Sequence, residues 1–278
     1  MARIFLIWVG LLLTPPQVQA SYHLLTRVRG QHPVVVSGRD VTSRGNYWPA
    51  STIKLLPAIA VVKWAMEKRI GLGQEIRISE PKGVFKDTLR SILRDTLVWS
   101  SNKGYDRLVR IAGMDYMNTL AKSLGLKHTW VSQAFVGGTL KRSPTLYYKN
   151  ASGWHTIPSR YSKLKSLCPR QGNCTSLGDL QKLLLIAYTY PTLRKYMLQS
   201  KCLFLSEVRQ KFGVTTRIYS KPGFTWKGHM IGNGLIITPK GDRYIMTVLV
   251  PSNGEKSYTK IRKRLRILAG KVLRKIKN

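Results

Sequence analysis

The sequence predicts an α/β protein in which a mainly helical segment interrupts a sheet-forming one. Three observations lead there. Strand-like alternation fills residues 22–29 and 33–38, helical periodicity dominates the middle of the chain, and three strand-like runs followed by a helical one close it. That order implies a discontinuous α/β domain at 21–60 and 213–278 with a helical domain, 61–212, inserted between its halves. A chain of 278 residues with 43% hydrophobic content can bury a sizeable core in one or two domains, and no internal repeat or low-complexity tract argues otherwise.

Taken in order, the first twenty residues read as a secretory leader. Arg3 supplies the basic end, residues 4–14 form a short apolar run, and the small residue Ala20 follows Gln17-Val18-Gln19 at the expected cut. The apolar run is too short to span a bilayer comfortably, and no later stretch is long and apolar enough to do so. The expectation is an exported chain, periplasmic or extracellular, beginning near Ser21. Residues 22–29 and 33–38 flank Arg29-Gly30-Gln31 and read as a hairpin. A helix follows over about 55–66, with Ser51 in its first turn and Pro57 in its second, where the missing N–H would kink it. Gly71 and Gly73 end that segment, and 76–79 is extended.

Helical runs come next at 88–99, 103–112 and 114–123, the last stopped by Gly125. Residues 131–175 are rich in Gly, Ser, Pro and Tyr and read as one long ordered loop. Helical patterns return at 177–189 and 192–212, and strands at 215–221, 229–238 and 243–250. Residues 257–277 are helical, with Ile261, Leu265, Leu268, Val272 and Ile276 on one face. That stripe can pack on the sheet, or the segment can lie on a membrane surface; its other face is basic either way. Cys168 and Cys174 flank a turn-like stretch and could close a small disulfide loop, leaving Cys202 as a buried thiol, although spacing alone does not fix the pairing. The five histidines are isolated, and no metal or cofactor is called for.

The charge is extreme. Lys and Arg number 47 against 12 Asp and Glu, a formal +35, and removing the leader with its single cation leaves +34. Such a field attracts polyanions over long range, the candidates being anionic membrane surfaces, wall polymers, lipopolysaccharide or nucleic acid without sequence specificity. The alternative is a solvated basic face with no dedicated partner.

The chemistry rests on Ser51-Thr52-Ile53-Lys54. Residues three apart share a helix face. A serine hydroxyl needs a neighbour to take its proton, and a desolvated lysine amine can do so. A serine that merely caps the helix is the plainer alternative. Two further segments, Ser100-Ser101-Asn102 and Lys221-Pro222-Gly223, complete a set. S-x-x-K, S-x-N and K-x-G in this order resemble the three signatures of penicillin-recognising serine enzymes, and most closely the class A β-lactamases. The flanks are similar too: Ser100-Ser101-Asn102 falls between two helical runs, and Tyr219-Ser220-Lys221-Pro222-Gly223 opens a three-strand finish. The likeness spans nearly the whole mature chain.

This resemblance implies a β-lactamase/transpeptidase-like fold, an antiparallel sheet flanked by terminal helices with a helical domain inserted, and a site between the two parts. It implies Ser51 as acylated nucleophile, Lys54 as its proton acceptor, Ser100 as the proton relay to the leaving nitrogen and Lys221 as the cation assisting it. Asn102, Gly223, Phe224 and Thr225 would contact substrate, the N–H groups of Ser51 and Phe224 forming the oxyanion hole. Three departures stand out. Ser101 replaces the aspartate of S-D-N, between the two functional residues and in a structural role. Pro222 replaces a hydroxyl residue that helps bind a β-lactam carboxylate. No Asp or Glu occurs between Asp115 and Asp179, where class A enzymes keep the glutamate that activates the hydrolytic water. The expectation is a secreted serine hydrolase acylated by a β-lactam or related amide, with deacylation impaired. Its rivals are a peptidase or transpeptidase on peptidoglycan peptides and a non-catalytic polyanion-binding member of the fold.

Overall fold

The computed structural model describes residues 21–29, 32–39, 47–80, 82–132, 135, 144–158, 168, 172–225 and 229–276; the leader read at 1–20 lies outside the described residues. In chain order, β1 (Tyr22–Arg29) and β2 (His32–Arg39) precede a 3-10 turn (Ala50–Lys54) that runs into α1 (Leu55–Glu67). Next come β3 (Glu75–Glu80), β4 (Gly83–Thr88), α2 (Leu89–Leu97), α3 (Asn102–Ala112) and α4 (Met114–Ser123). Then follow β5 (Leu146–Asn150), β6 (Gly153–Ile157), α5 (Leu177–Thr189), α6 (Pro191–Gln199) and α7 (Leu205–Phe212). The chain closes with β7 (Arg217–Ser220), β8 (Gly223–Phe224), β9 (His229–Ile237), β10 (Arg243–Pro251) and α8 (Tyr258–Leu273).

The first and last strands build one antiparallel sheet in the order β2-β1-β10-β9-β7, with β8 also on β9. Leu25 lies opposite Met246, and Ser220 opposite Gly234. Strands β7 and β8 thus form one edge, interrupted at Lys221-Pro222. A proline is tolerated there because it interrupts the ladder where no outer strand needs its N–H. On one face α8 buries Ile261, Leu265, Ala269 and Val272 against Leu25, Met230, Met246 and Val248. The apolar stripe of the last helix therefore packs on the sheet, Leu268 being only half-buried, with about 1.5–3 kcal/mol for each large side chain fully buried. The other face is covered by α5, which packs in turn on α1, apolar on nearly every side (Leu55, Leu56, Ile59, Val61) and hence a central helix, surrounded by α2, α3, α4 and α5.

Four local expectations are corrected. Ser51 sits in a 3-10 turn rather than the first turn of an α-helix. Pro57 falls in the first turn of α1 rather than its second, where its missing N–H has no acceptor within α1 itself. Residues 131–175 are not one irregular loop: they contain β5 and β6, which join β3 and β4 in a second antiparallel sheet ordered β4-β3-β5-β6. The run 192–212 is two helices, because residues 200–204 turn the chain and sink Phe204 against β9. Its ring fits where Gly232 and Gly234 carry no side chain; a Cβ at Gly232 would stand 2.8 Å from the ring.

Cys168 and Cys174 are disulfide-bonded, their Cα atoms 5.7 Å apart, and Cys202 is a half-buried free thiol held protonated by burial. No helix among the described residues is long and apolar enough to cross a membrane.

Candidate active site

The 3-10 turn places the first pair. With three residues per turn, positions i and i+3 eclipse, which aligns Ser51 and Lys54 more closely than an α-helix would. Lys54 Nζ lies 3.0 Å from Ser51 Oγ. Ala50, directly before the serine, has φ +48°, a left-handed conformation that a residue with a Cβ adopts only under constraint. The constraint comes from the sheet edge: a Cβ on Gly223 would stand 3.0 Å from each of Ala50 Cβ, Ser51 N and Thr52 N. Only glycine lets β8 approach the nucleophile turn this closely. His229, at the start of β9, holds the preceding segment by donating from Nε2 to the Trp48 carbonyl at 2.5 Å. Burial lowers the His229 pKa and keeps the ring neutral.

The α2–α3 turn brings the second group. Ser101 accepts from the Gly104 N–H and caps α3, so the residue replacing the family's aspartate has a structural task. Ser100 takes φ +57° and turns into the site. Its carbonyl accepts from Lys54 Nζ at 2.5 Å, and Asn102 Oδ1 accepts from the same amine at 2.7 Å. From the sheet edge, Lys221 Nζ donates to Ser100 Oγ at 2.7 Å, and that hydroxyl is 3.3 Å from Lys54 Nζ. The structure thus brings together Ser51, Lys54, Ser100, Asn102 and Lys221. Phe224 lies in β8 with its ring against Tyr258, and Thr225 donates its N–H to the His229 carbonyl at the same edge.

Both lysines are fully buried. Burial lowers the Lys54 pKa to about 7, opposed by Asp106. Lys221 falls well below its usual value, first through burial and then through the charge of Lys54. The hydrogen-bond geometry accommodates the neutral form. A neutral amine has two hydrogens and one lone pair; the Ser100 carbonyl and Asn102 Oδ1 can only accept, so they take the hydrogens and leave the lone pair facing the Ser51 hydroxyl. Such an arrangement can withdraw the serine proton as the oxygen attacks an acyl carbon. Asn102 is itself exposed, its NH2 able to donate to a substrate carbonyl.

One member escaped the sequence reading. The Phe135 ring centroid lies 5.2 Å from Lys54 Nζ and 4.5 Å from that of buried Tyr105, and the Phe135 N–H donates to Asp106 Oδ1 at 2.7 Å. An aromatic within a long irregular stretch gives no local signal of what it covers. The segment starts and returns at one place, where Trp130 and Cys174 exchange both backbone bonds. His155, the one histidine in that stretch of the sequence, belongs to the second sheet, stacked on Tyr148 and bonded to Asn150. Among the described residues no group of three His, Cys, Asp or Glu could hold a metal.

Fold and constellation together define a serine hydrolase of the β-lactamase and penicillin-binding type. The chain belongs to the Beta-lactamase enzyme family, whose sequence profile matches residues 38–275. No curated protein matches the sequence. Among solved structures, a class A β-lactamase from Mycobacterium abscessus is similar at 16% identity, with 92% of this chain and 93% of that one covered and a TM-score of 0.67. A representative of class A β-lactamase from Bacteroides cellulosilyticus shares 15% identity over 91% of this chain and 90% of its own, TM-score 0.64. PBP-A shares 17% over 92% and 91%, TM-score 0.61.

Proposed function

We propose that this protein is acylated on Ser51 by a β-lactam or related amide and releases the acyl group slowly. The Lys54 amine, 3.0 Å from Ser51 Oγ with both hydrogens committed to acceptors, carries the reading. Lys54 takes the Ser51 proton as Oγ bonds to the carbonyl carbon, and the N–H groups of Ser51 and Phe224 receive the developing oxyanion. The carbon–nitrogen bond then breaks. Ser100, held by Lys221, hands its proton to the leaving nitrogen and is reprotonated from Lys54, leaving a Ser51 ester. Asn102, Gly223 and Thr225 orient the substrate; Pro222 offers no hydroxyl to its carboxylate.

Hydrolysis of that ester needs a base to activate water. The chain has no Asp or Glu between Asp115 and Asp179, and Phe135 covers Lys54 from that stretch. This favours a second reading, a peptidase or transpeptidase of peptidoglycan peptides whose acyl-enzyme is resolved by an amine. A point mutant of the similar PBP-A is known as an acyl-enzyme complex with penicillin G, so such a scaffold can carry that ester. Export through residues 1–20 and the division at 21–60, 61–212 and 213–278 belong to the same reading. So does attraction of the basic surface to an anionic partner. Mass spectrometry of the protein incubated with a penicillin tests the core of it. A persistent adduct on the Ser51 peptide is expected, and absence of any adduct across a wide range of β-lactams overturns it.

A further inference from the structure

A second cavity, of about 490 Å³, lies where the α6–α7 connection, α7, the start of β7 and α8 meet. Each of these four elements contributes one cation to its lining: Lys201, Arg209, Arg217 and Arg262. No carboxylate lines it. Among the described residues none of the four cations has an ion-pair partner, and Glu207, the one acid of α7, is taken by Arg266 at 2.6 Å. Four like charges converging from separate parts of the chain repel one another, and a concave wall focuses their field on whatever enters. Three are guanidinium groups, whose planar forks match the paired oxygens of a phosphoryl group.

The remaining wall combines Ser200, Cys202, Thr215 and Thr216 with an exposed apolar side. Val214 is 75% exposed and Leu198 47%, with Ile218 and Leu205 beside them. A phosphate ion would fill only a small part of this volume and would leave that wall facing water. A monoanionic carboxylate would leave most of the charge uncompensated.

We propose that the cavity binds a phosphoryl group carried on an apolar stem, such as the headgroup and upper chain of an anionic phospholipid. The guanidinium groups grip the phosphoryl oxygens, and Leu198 and Val214 cover the stem. The site is separate from Ser51 and does not depend on the acylation reading.

Titration calorimetry of the mature chain with monomeric dihexanoyl phosphatidic acid, dihexanoyl phosphatidylcholine and inorganic phosphate tests it. The phosphatidic acid is expected to bind about tenfold or more tighter than either of the others, in line with losing one charge-assisted contact or one apolar face. Arg209→Gln with Arg217→Gln should weaken it by about tenfold or more, and Leu198→Ser with Val214→Ser should remove its advantage over inorganic phosphate. These side chains are exposed, and circular dichroism verifies that the variants fold. Replacing Lys260, Lys263, Lys271 and Arg274 by Gln on the outer face of α8 should leave this binding unchanged. Inorganic phosphate binding as tightly as the amphiphile, or equal losses from the α8 substitutions, overturns the proposal. So does the absence of binding.

Discussion

Phe135 covers the amine of Lys54, its ring centroid 5.2 Å from Nζ, and is fixed there by Tyr105 and the Asp106 carboxylate. An aromatic face helps keep the lysine desolvated. It carries no group that could activate water. In the proposed reaction this one residue would favour acylation and leave deacylation without a base.

Phe135→Glu should restore a general base beside the ester. Release of the acyl group, followed by loss of the adduct in stopped mass spectra, is expected to accelerate by about 10²–10⁴, the range for general-base assistance. An unchanged rate would show that something other than the missing base limits deacylation.

Ser51→Ala should abolish the penicillin adduct. Lys54→Ala should slow its formation by about 10²–10⁴, the proton then lacking an acceptor. An adduct mapped to another peptide would remove Ser51 from the mechanism.

Acylation should depend on pH through Lys54. Its lowered pKa of about 7 leaves the amine protonated and inactive below that value and neutral above it. The rate constant should rise about tenfold per pH unit below 7 and level off above, because only the neutral fraction reacts. A profile flat from pH 5 to about pH 9 would mean that lysine is not the base.

Gly223→Ala puts a Cβ 3.0 Å from the backbone nitrogens of Ser51 and Thr52. Either the β8 edge or the nucleophile turn must give way. Acylation should fall by about tenfold or more, since small misplacements of reacting groups are costly, while the melting temperature changes little. Wild-type acylation by this variant would show that the close approach has no bearing on the reaction.

The outward face of α8 carries Lys260, Lys263, Lys271 and Arg274, all exposed. Retention on heparin resin should fall steeply between about 50 and 200 mM salt, as released counterions are restored. Replacing those four residues by Gln should weaken it further and leave Ser51 acylation intact. Salt-insensitive retention would make the charge a solvated surface only.

The sequence by itself determined much of the order of elements and the three motifs from which the candidate site is built. The β1–β2 hairpin and the apolar stripe of α8 are local patterns, legible because hydrophobic period acts within a few residues. Ser51, Lys54, Ser100, Asn102 and Lys221 were legible as three short motifs, and so was the missing carboxylate. Tertiary structure decided the rest. Residues 131–175 read as one long loop because β5 is stabilised by pairing with β3, far away in sequence, and β6 in turn pairs with β5. The turn between α6 and α7 seats Phe204 in room left by Gly232 and Gly234, three strands later in β9. Above all, the lowered pKa of Lys54 and the position of Phe135 over it depend on burial by segments distant along the chain. A lysine's proton affinity is set by its surroundings, and those exist only once the chain has folded.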